Sequence, residues 1–213
     1  MKVSASFLSS KNPAVDLAKL DQTDVDYIHV DIMDGKFVPN KTMPFSEMKN
    51  IYKYTSKRLD VHLMVEKPEE YIPLYASLNT EYITIHVELD EDIMECLELI
   101  KSYSIKAGLS IKPNTKVSEL IPYLPYIDMI LIMSVEPGFG GQKFMDNALD
   151  KIKYLDNLRN NNDEYHYLIE VDGGVNLSNV SKIREAGANV VVMGTALINS
   201  SDKASVIKEV DNL

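Results

Sequence analysis

The stretch Tyr27-Ile28-His29-Val30-Asp31 carries the pattern that decides the fold of this 213-residue chain. In a β-strand, successive side chains point to opposite faces of the sheet. Ile28 and Val30 therefore form an apolar face that suits packing under helices. His29 and Asp31 share the opposite face, which in a barrel is the interior. If this strand belongs to a barrel, the alternation places its polar side chains in the interior, at the open end where active sites lie.

Seven further β-rich runs occur along the chain, and stretches with helical periodicity separate them. The predicted strands are Val3–Leu8, Tyr27–Asp31, Leu59–Met64, Tyr82–His86, Lys106–Ile111, Met129–Met133, Leu168–Asp172 and Asn189–Met193. The predicted helical stretches include Pro13–Gln22, Glu69–Ser77, Ile93–Ser102, Val117–Leu124, Asn147–Asn157, Leu177–Ala186 and Ala204–Val210. Strands joined by helical crossovers pair in parallel.

Eight such units that close on themselves make a (β/α)₈ TIM barrel, so we predict an α/β protein with one catalytic barrel domain over residues 1–213. The alternative is an open, doubly wound sheet. Against that alternative, no Gly-x-Gly-x-x-Gly follows the first predicted strand.

The alternation of the second strand recurs on three others, and its polar half again falls inside the predicted barrel. The inward residues are Asp60, His62 and Met64 on the third strand, Thr84 and His86 on the fourth, and Glu170 and Asp172 on the seventh. Barrel interiors that serve only structure are filled mainly by branched aliphatic side chains. Polar groups that converge at the carboxyl ends of several strands therefore indicate a functional site.

Composition excludes several classes of function. The chain is 45% hydrophobic and carries a net charge of −10, with no basic stripe of the kind that nucleic-acid binding needs. No run of eighteen apolar residues and no signal peptide is present, which predicts a cytoplasmic protein without a membrane span. The single cysteine, Cys96, falls on the apolar face of a predicted helix, and we interpret it as a buried structural residue. The oligomeric state stays open, a homo-oligomer included.

Four of the inward or strand-end groups form a candidate metal site: His29, Asp31, His62 and Asp172. Two imidazoles and two carboxylates suit one divalent ion such as zinc, iron, manganese or cobalt. The competing interpretation is that these residues only form hydrogen bonds within the core. Four such groups in one layer weaken that interpretation, because burying them unpaired would cost much free energy. His86 is left open between a pocket residue and a partner of a carboxylate. His166 precedes the seventh strand, away from the mouth, and is predicted to be structural or exposed.

Three glycine-rich turns follow the sixth, seventh and eighth strands, where barrels commonly bind phosphate. They are Gly138-Phe139-Gly140-Gly141, Gly173-Gly174 and Gly194-Thr195. Glycine lets several backbone N–H groups approach one anion. The Thr195 hydroxyl is either a further donor or a cap of the helical turn that follows.

These motifs resemble the ribulose-phosphate 3-epimerase family from nearly one end of the chain to the other. The resemblance lies in Ser4–Ser9, His29–Asn40, Asp60–Val65, Gly108–Thr115, Met133–Gln142 and Glu170–Val175. It implies a barrel of the ribulose-phosphate-binding type and a metal-assisted interconversion of D-ribulose 5-phosphate and D-xylulose 5-phosphate in the pentose phosphate pathway.

By position, the resemblance also assigns roles to individual residues. It implies that His29, Asp31, His62 and Asp172 bind the metal and that Asp31 and Asp172 are the acid–base pair. The implied substrate contacts are Ser6, His62, Met33, Met64, Met133, Gly138, Phe139, Gly140, Gly141, Asp172, Gly173, Gly174, Gly194 and Thr195. The methionines have core packing as their alternative role.

The chain departs from the family pattern at Lys36, where histidine is usual, in a segment expected to cover the pocket. Three other functions stay open beside the ribulose-phosphate one. They are allulose-6-phosphate 3-epimerase activity, the chemistry of another phosphate-binding barrel such as a decarboxylase or an indole-forming synthase, and non-catalytic sugar-phosphate binding. The retention of all four ligand residues speaks against the last two.

Overall fold

Eight parallel strands close into a barrel, and a helical segment follows each strand. The computed structural model describes residues 1–213. The strands are β1 Lys2–Ser6, β2 Tyr27–Met33, β3 Arg58–Met64, β4 Thr80–His86, β5 Lys106–Ile111, β6 Met129–Met133, β7 Leu168–Asp172 and β8 Val190–Met193. Pairing of β1 with β8, in the register Lys2 to Val190, closes the ring. The predicted TIM-barrel fold is confirmed.

The helices cover the outside of the barrel. They are α1 Pro13–Asp21, α2 Phe45–Ile51, α3 Pro68–Ala76, α4 Ile93–Ser102, α5 Asn147–Asn160, α6 Val180–Glu185, α7 Thr195–Ile198 and α8 Lys203–Asp211, with 3₁₀ segments at Tyr52–Tyr54 and Val117–Tyr126. No helix among them combines the length and the apolar character that crossing a membrane requires.

Three of the predicted elements differ from the structure for identifiable local reasons. The first strand ends at Ser6, before Leu8, because the chain turns there and the Ser10 amide donates to the Phe7 carbonyl. The predicted helix Val117–Leu124 is a 3₁₀ helix that contains two prolines, which cannot donate the backbone bonds of an α-helix. The helix predicted from Leu177 begins only at Val180, because the Asn176 side chain accepts the Ser178 amide in a turn.

The core has an apolar shell and a mixed interior. The outward strand residues join the helices in one apolar cluster, which also contains the buried Cys96. Inside the barrel, Tyr27, Tyr82, Met129 and Val190 pack together at the amino-terminal end of the strands. Polar side chains fill the interior above this plug, so the fold places them at the carboxyl-terminal mouth.

Candidate active site

The four predicted metal ligands meet at the carboxyl ends of β2, β3 and β7. One nitrogen or oxygen atom from each of His29, Asp31, His62 and Asp172 lies within 4.8 Å of the others. The Oδ1 atom of Asp31 is 3.5 Å from His29 Nε2 and 3.5 Å from His62 Nδ1. Both nitrogens are buried, and neither has a hydrogen-bond partner.

Buried polar atoms are almost always paired, because leaving one unpaired costs desolvation free energy. Two orphaned imidazole nitrogens that face the same two carboxylates are therefore unusual. This donor set fits a divalent transition metal ion. The cluster can hold such an ion, whose identity the donor set leaves open among zinc, iron, manganese and cobalt.

His29 is oriented from below by a buried carboxylate. Its Nδ1 atom lies 2.8 Å from Asp60 Oδ2, which also accepts the Ser4 hydroxyl at 2.7 Å. When Nδ1 donates its proton to Asp60, the Nε2 lone pair is left facing the ligand cluster. The sequence placed Asp60 inside the barrel, but it gave no indication of this partner.

Glu170 lies beside Asp60 and is completely buried. Burial, followed by the charge of Asp60, holds the pKa of the Glu170 carboxyl well above its usual range. Burial would also raise the pKa of Asp60, but the attraction of His29 outweighs it and lowers that pKa. Of the two, Asp60 therefore holds the negative charge more readily, and Glu170 holds a proton more readily.

His62 contacts a second buried histidine through its other ring nitrogen. His62 Nε2 is 2.8 Å from His86 Nε2, and His86 Nδ1 is 2.9 Å from Glu88 Oε2. Burial lowers the pKa of His86 to about 4. Burial would raise the pKa of Glu88, but its contacts with His86 outweigh that effect and lower it to about 2. Of the two interpretations of His86 that the sequence left open, the contact with a carboxylate is confirmed, with Glu88 as the partner, and His86 does not line the cavity described below.

The two carboxylates of the cluster have different acidities. Burial would raise the pKa of Asp31, but His29 outweighs it and holds that pKa far below its usual value. Ser6 also donates its hydroxyl to Asp31 Oδ2 at 3.1 Å. Burial and the neighbouring charge of Asp31 raise the pKa of Asp172 to about 6. A site whose two carboxylates are driven apart in this way can supply one base and one acid.

A cavity of about 320 Å³ lies over the cluster. Most residues that the resemblance offered as substrate contacts line it: Ser6, Met64, Met133, Gly138, Phe139, Gly140, Gly141, Asp172, Gly173, Gly174, Gly194 and Thr195. Met33 does not line this cavity, because it packs against Val38 and Met64. His62 lies beneath it, with its ring fully buried.

No lysine or arginine lines the cavity. Gly138, Gly141, Gly173 and Gly174 all have positive φ angles, so the turns after β6 and β7 need glycine for their backbone path. Gly194, in the turn after β8, has a φ of −100°. Lys143, the cation nearest in sequence, is exposed and outside the lining.

Two hydroxyls face each other beside these turns. Ser9 Oγ and Thr195 Oγ1 are 2.8 Å apart. Thr195 is the first residue of α7, which follows Gly194 as its cap, and its side chain makes no capping bond. The sequence analysis missed Ser9, although it closes the motif Ser4–Ser9.

The loop after β2 packs across the mouth. Val38 lies against Gly138, and the Asn40 side chain donates to the Gly138 carbonyl at 3.1 Å. Lys36 belongs to the same loop, but its side chain is 65% exposed and its nearest acidic partner, at 3.9 Å, is Glu66. The departure from the family pattern at this position therefore lies on the surface of the loop, outside the cavity.

Comparisons with known proteins agree on one family. A family model described as the ribulose-phosphate 3 epimerase family matches residues 2–198. The chain is 37% identical over 212 residues to the ribulose-phosphate 3-epimerase of Bacillus subtilis (strain 168), covering 99% of this chain and 98% of that protein. It is 39% identical over 216 residues to the enzyme of the same name from Helicobacter pylori (strain J99), covering 100% and 98%.

Among solved structures, 3-hexulose-6-phosphate synthase from Salmonella typhimurium superposes with a TM-score of 0.72. That match covers 100% of this chain and 97% of the synthase, at 18% sequence identity. At this identity the likeness shows the barrel fold alone.

Proposed function

This chain belongs to the ribulose-phosphate 3-epimerase family and is a carbohydrate epimerase; we propose that it interconverts D-ribulose 5-phosphate and D-xylulose 5-phosphate. The proposal includes one divalent metal ion, proton transfer at C3 and a place in the pentose phosphate pathway. The observation that carries it is the meeting of two unpaired imidazole nitrogens and two carboxylates of different acidity beneath one cavity.

His29, Asp31, His62 and Asp172 are the residues that would hold the metal. The donor atoms would be His29 Nε2 and His62 Nδ1, which have no hydrogen-bond partners, and one oxygen from each carboxylate. One such atom from each of the four residues lies within 4.8 Å of the others. When bound, a divalent ion polarises the substrate carbonyl and stabilises the negative charge that develops on the substrate oxygens.

Asp31 and Asp172 are proposed as the acid–base pair. Inversion of a carbon next to a carbonyl needs removal of its proton from one face and delivery of a proton to the other. The two carboxylates come from β2 and β7, which β8 and β1 separate around the barrel. A planar enediolate held between them receives its new proton from the side opposite to the one that lost it.

The phosphate group is proposed to lie at the three glycine turns. The cavity lining has no cationic side chain, so backbone N–H groups have to supply most of the donors. Their positions are set by the backbone, which avoids the entropy cost of ordering long side chains. The paired hydroxyls of Ser9 and Thr195 lie beside these turns, and because one donates to the other, the pair leaves one free side-chain O–H donor.

The direct test of the substrate is a comparison of two sugar phosphates on one protein sample. Purified protein is assayed with D-ribulose 5-phosphate and, separately, with D-allulose 6-phosphate, and its metal content is measured. We expect a higher kcat/KM for the five-carbon substrate and about one equivalent of metal per chain. A preference for the six-carbon substrate would replace this proposal with the allulose-phosphate one, and turnover of neither would contradict both.

A further inference from the structure

The second ring nitrogen of His62 leads away from the cavity to a chain of two side chains, His86 and Glu88. We propose that His86 and Glu88 are positioning residues that fix the tautomer and the ring orientation of His62, so that its Nδ1 lone pair faces the ligand cluster. The inference rests on the proposed metal site, and it gives roles to two residues that do not touch the metal or the substrate themselves.

Donor and acceptor roles along this chain follow from counting protons. A neutral imidazole carries one N–H and one lone pair. If His62 Nδ1 keeps its lone pair for the cluster, Nε2 must carry the proton. The only partner of that N–H is His86 Nε2 at 2.8 Å, which must then accept. His86 therefore carries its own proton on Nδ1, which lies 2.9 Å from Glu88 Oε2.

Each hydrogen bond in the series His62, His86 and Glu88 can have only one donor and one acceptor. Glu88 is a carboxylate and accepts, so His86 has to donate to it and present a lone pair to His62. A reversed arrangement would put an N–H on His62 Nδ1, 3.5 Å from Asp31 Oδ1, where it would occupy the metal-facing position. The carboxylate at the far end thus selects the tautomer that binds metal.

Glu88 is held firmly enough for this role. Its Oε1 atom accepts the Lys112 backbone N–H at 2.7 Å and the Thr115 hydroxyl. The loop that provides these donors is fixed in turn by Lys151, whose ammonium donates to the carbonyls of Lys112, Pro113 and Thr115 at 2.7–2.9 Å. The orientation of Glu88 is therefore set by the backbone of the loop after β5.

His86 is also enclosed by packing. The centre of its ring lies 4.7 Å from the centre of the Phe37 ring. The Lys112 ammonium also contacts the Phe37 ring, 4.0 Å from its centre. His86 is fully buried, so its two nitrogens do not contact bulk solvent. If His86 served only to fill space, it would not matter which of its ring nitrogens carries the proton. The inference requires the proton on Nδ1, and this difference makes it testable.

The first experiment measures metal affinity in the metal-free proteins by titration with Co²⁺ against a competing chelator. His86→Leu keeps much of the side-chain volume but removes the acceptor, and we expect its affinity to fall about 10- to 100-fold. His86→Gln retains a carbonyl acceptor for His62, and we expect it to recover most of the loss. Thr84→Val is the control, since Thr84 lies on the same strand inside the barrel and its hydroxyl has no partner.

The outcomes separate the inference from the proposed function. Wild-type affinity in folded His86→Leu overturns the inference alone. Absence of Co²⁺ binding by the wild-type protein overturns the metal site and the inference with it. If His86→Leu does not fold, Glu88→Gln carries the test: an amide cannot supply all the acceptors that this carboxylate provides, and we expect affinity about tenfold weaker. Unchanged affinity in that variant also contradicts the inference.

Nitrogen NMR of the Zn²⁺-loaded wild-type protein gives an independent readout. Long-range ¹H–¹⁵N correlations distinguish the two tautomers of each histidine ring. We expect the Nε2–H form for His62 and the Nδ1–H form for His86. The opposite form in either ring would overturn the inference even if both variants bind Co²⁺ more weakly.

Discussion

Asp172 and Asp31 differ in acidity although they lie in one cluster, and this difference predicts what happens when one is neutralised. Asp172→Asn keeps the shape of the side chain but can neither accept nor return a proton. Because general acid–base catalysis contributes about 10²- to 10⁴-fold, we expect kcat to fall at least about a hundredfold. Asp146→Asn, which removes a carboxylate that is 74% exposed, is the control. Residual kcat above a hundredth of wild type would contradict the role.

Glu88 predicts a pH dependence of stability in the metal-free protein. Its folded pKa of about 2 lies below its ordinary 4.5. The carboxylate therefore stabilises the fold fully above pH 4.5, and this contribution disappears as the pH falls through about 2. We expect Glu88→Gln to lower the free energy of unfolding by about 2 kcal/mol at pH 7. Urea denaturation should show this gap closing between pH 4.5 and 2; a gap that widens would contradict the assignment.

The sequence could predict that His29, Asp31, His62 and Asp172 lie together, because the alternation along a strand indicates which side chains share a face. It could not predict the partners of Glu88. Lys112 and Thr115 lie more than twenty residues away along the chain, and one of the two donates a backbone N–H. Contacts of this kind depend on how two loops meet, which no local pattern records. The same holds for the hydroxyl pair of Ser9 and Thr195.

At the scale of elements, the eight strands could be predicted because buried parallel strands carry short, dense runs of apolar and β-branched residues. The helix α2 was not predicted, since it has seven residues and buries only Met48, which leaves little periodicity to detect. The stretch Val117–Leu124 was predicted as a helix because its apolar spacing is helical. It lies in the 3₁₀ segment Val117–Tyr126, where Pro122 and Pro125 cannot donate the backbone bonds of an α-helix.

The glycine turns predict how phosphate affinity responds to small changes. A Cβ at Gly140 would lie 2.7 Å from Ser9 Oγ and 3.9 Å from Thr195 Oγ1, and its backbone does not need a positive φ. Gly140→Ala should therefore fold and disturb the hydroxyl pair, raising KM about tenfold, as loss of one charged hydrogen bond would. Lys143→Ala, which removes an exposed cation outside the cavity, should change KM less than about twofold.

Kinetics on both variants decide between backbone and side-chain binding of the phosphate. If Lys143→Ala proves the damaging substitution, the backbone account is wrong. Gly174 is a poorer position for this test, because a Cβ there would lie 2.3 Å from the Phe144 nitrogen at a φ of +64°. A larger residue at Gly174 would mainly report on folding.

At the scale of the whole molecule, the barrel does not by itself determine the chemistry. The Salmonella synthase shares the fold at 18% identity under a different name, as expected when functional sites are built on a common scaffold. The chemistry depends on the side chains at the mouth, which in this chain include the cluster of His29, Asp31, His62 and Asp172. Prolonged treatment with a chelator should therefore abolish activity, and adding Zn²⁺, Fe²⁺, Mn²⁺ or Co²⁺ should restore it. Full activity in verified metal-free protein would contradict the metal site.

Because the chain has a net charge of −10, the restoration test needs a control for divalent cations bound at the surface. Exposed carboxylates attract divalent cations weakly, and salt screens that attraction. His62→Ala leaves the surface charge unchanged but removes one ligand from the cluster. We expect it to lose specific metal at 0.15 M salt, whereas a surface-bound ion would be equally abundant in both proteins.

We propose that epimerisation proceeds by proton transfer between Asp31, Asp172 and the carbon next to the carbonyl. The most direct measurement is the reaction of D-ribulose 5-phosphate in deuterium oxide, with the product analysed by NMR for label at C3. One carboxylate removes the C3 proton and the other returns a proton to C3. Protons on carboxyl groups exchange with solvent, so we expect D-xylulose 5-phosphate that carries deuterium at C3. Product formed with no deuterium at that carbon would contradict it.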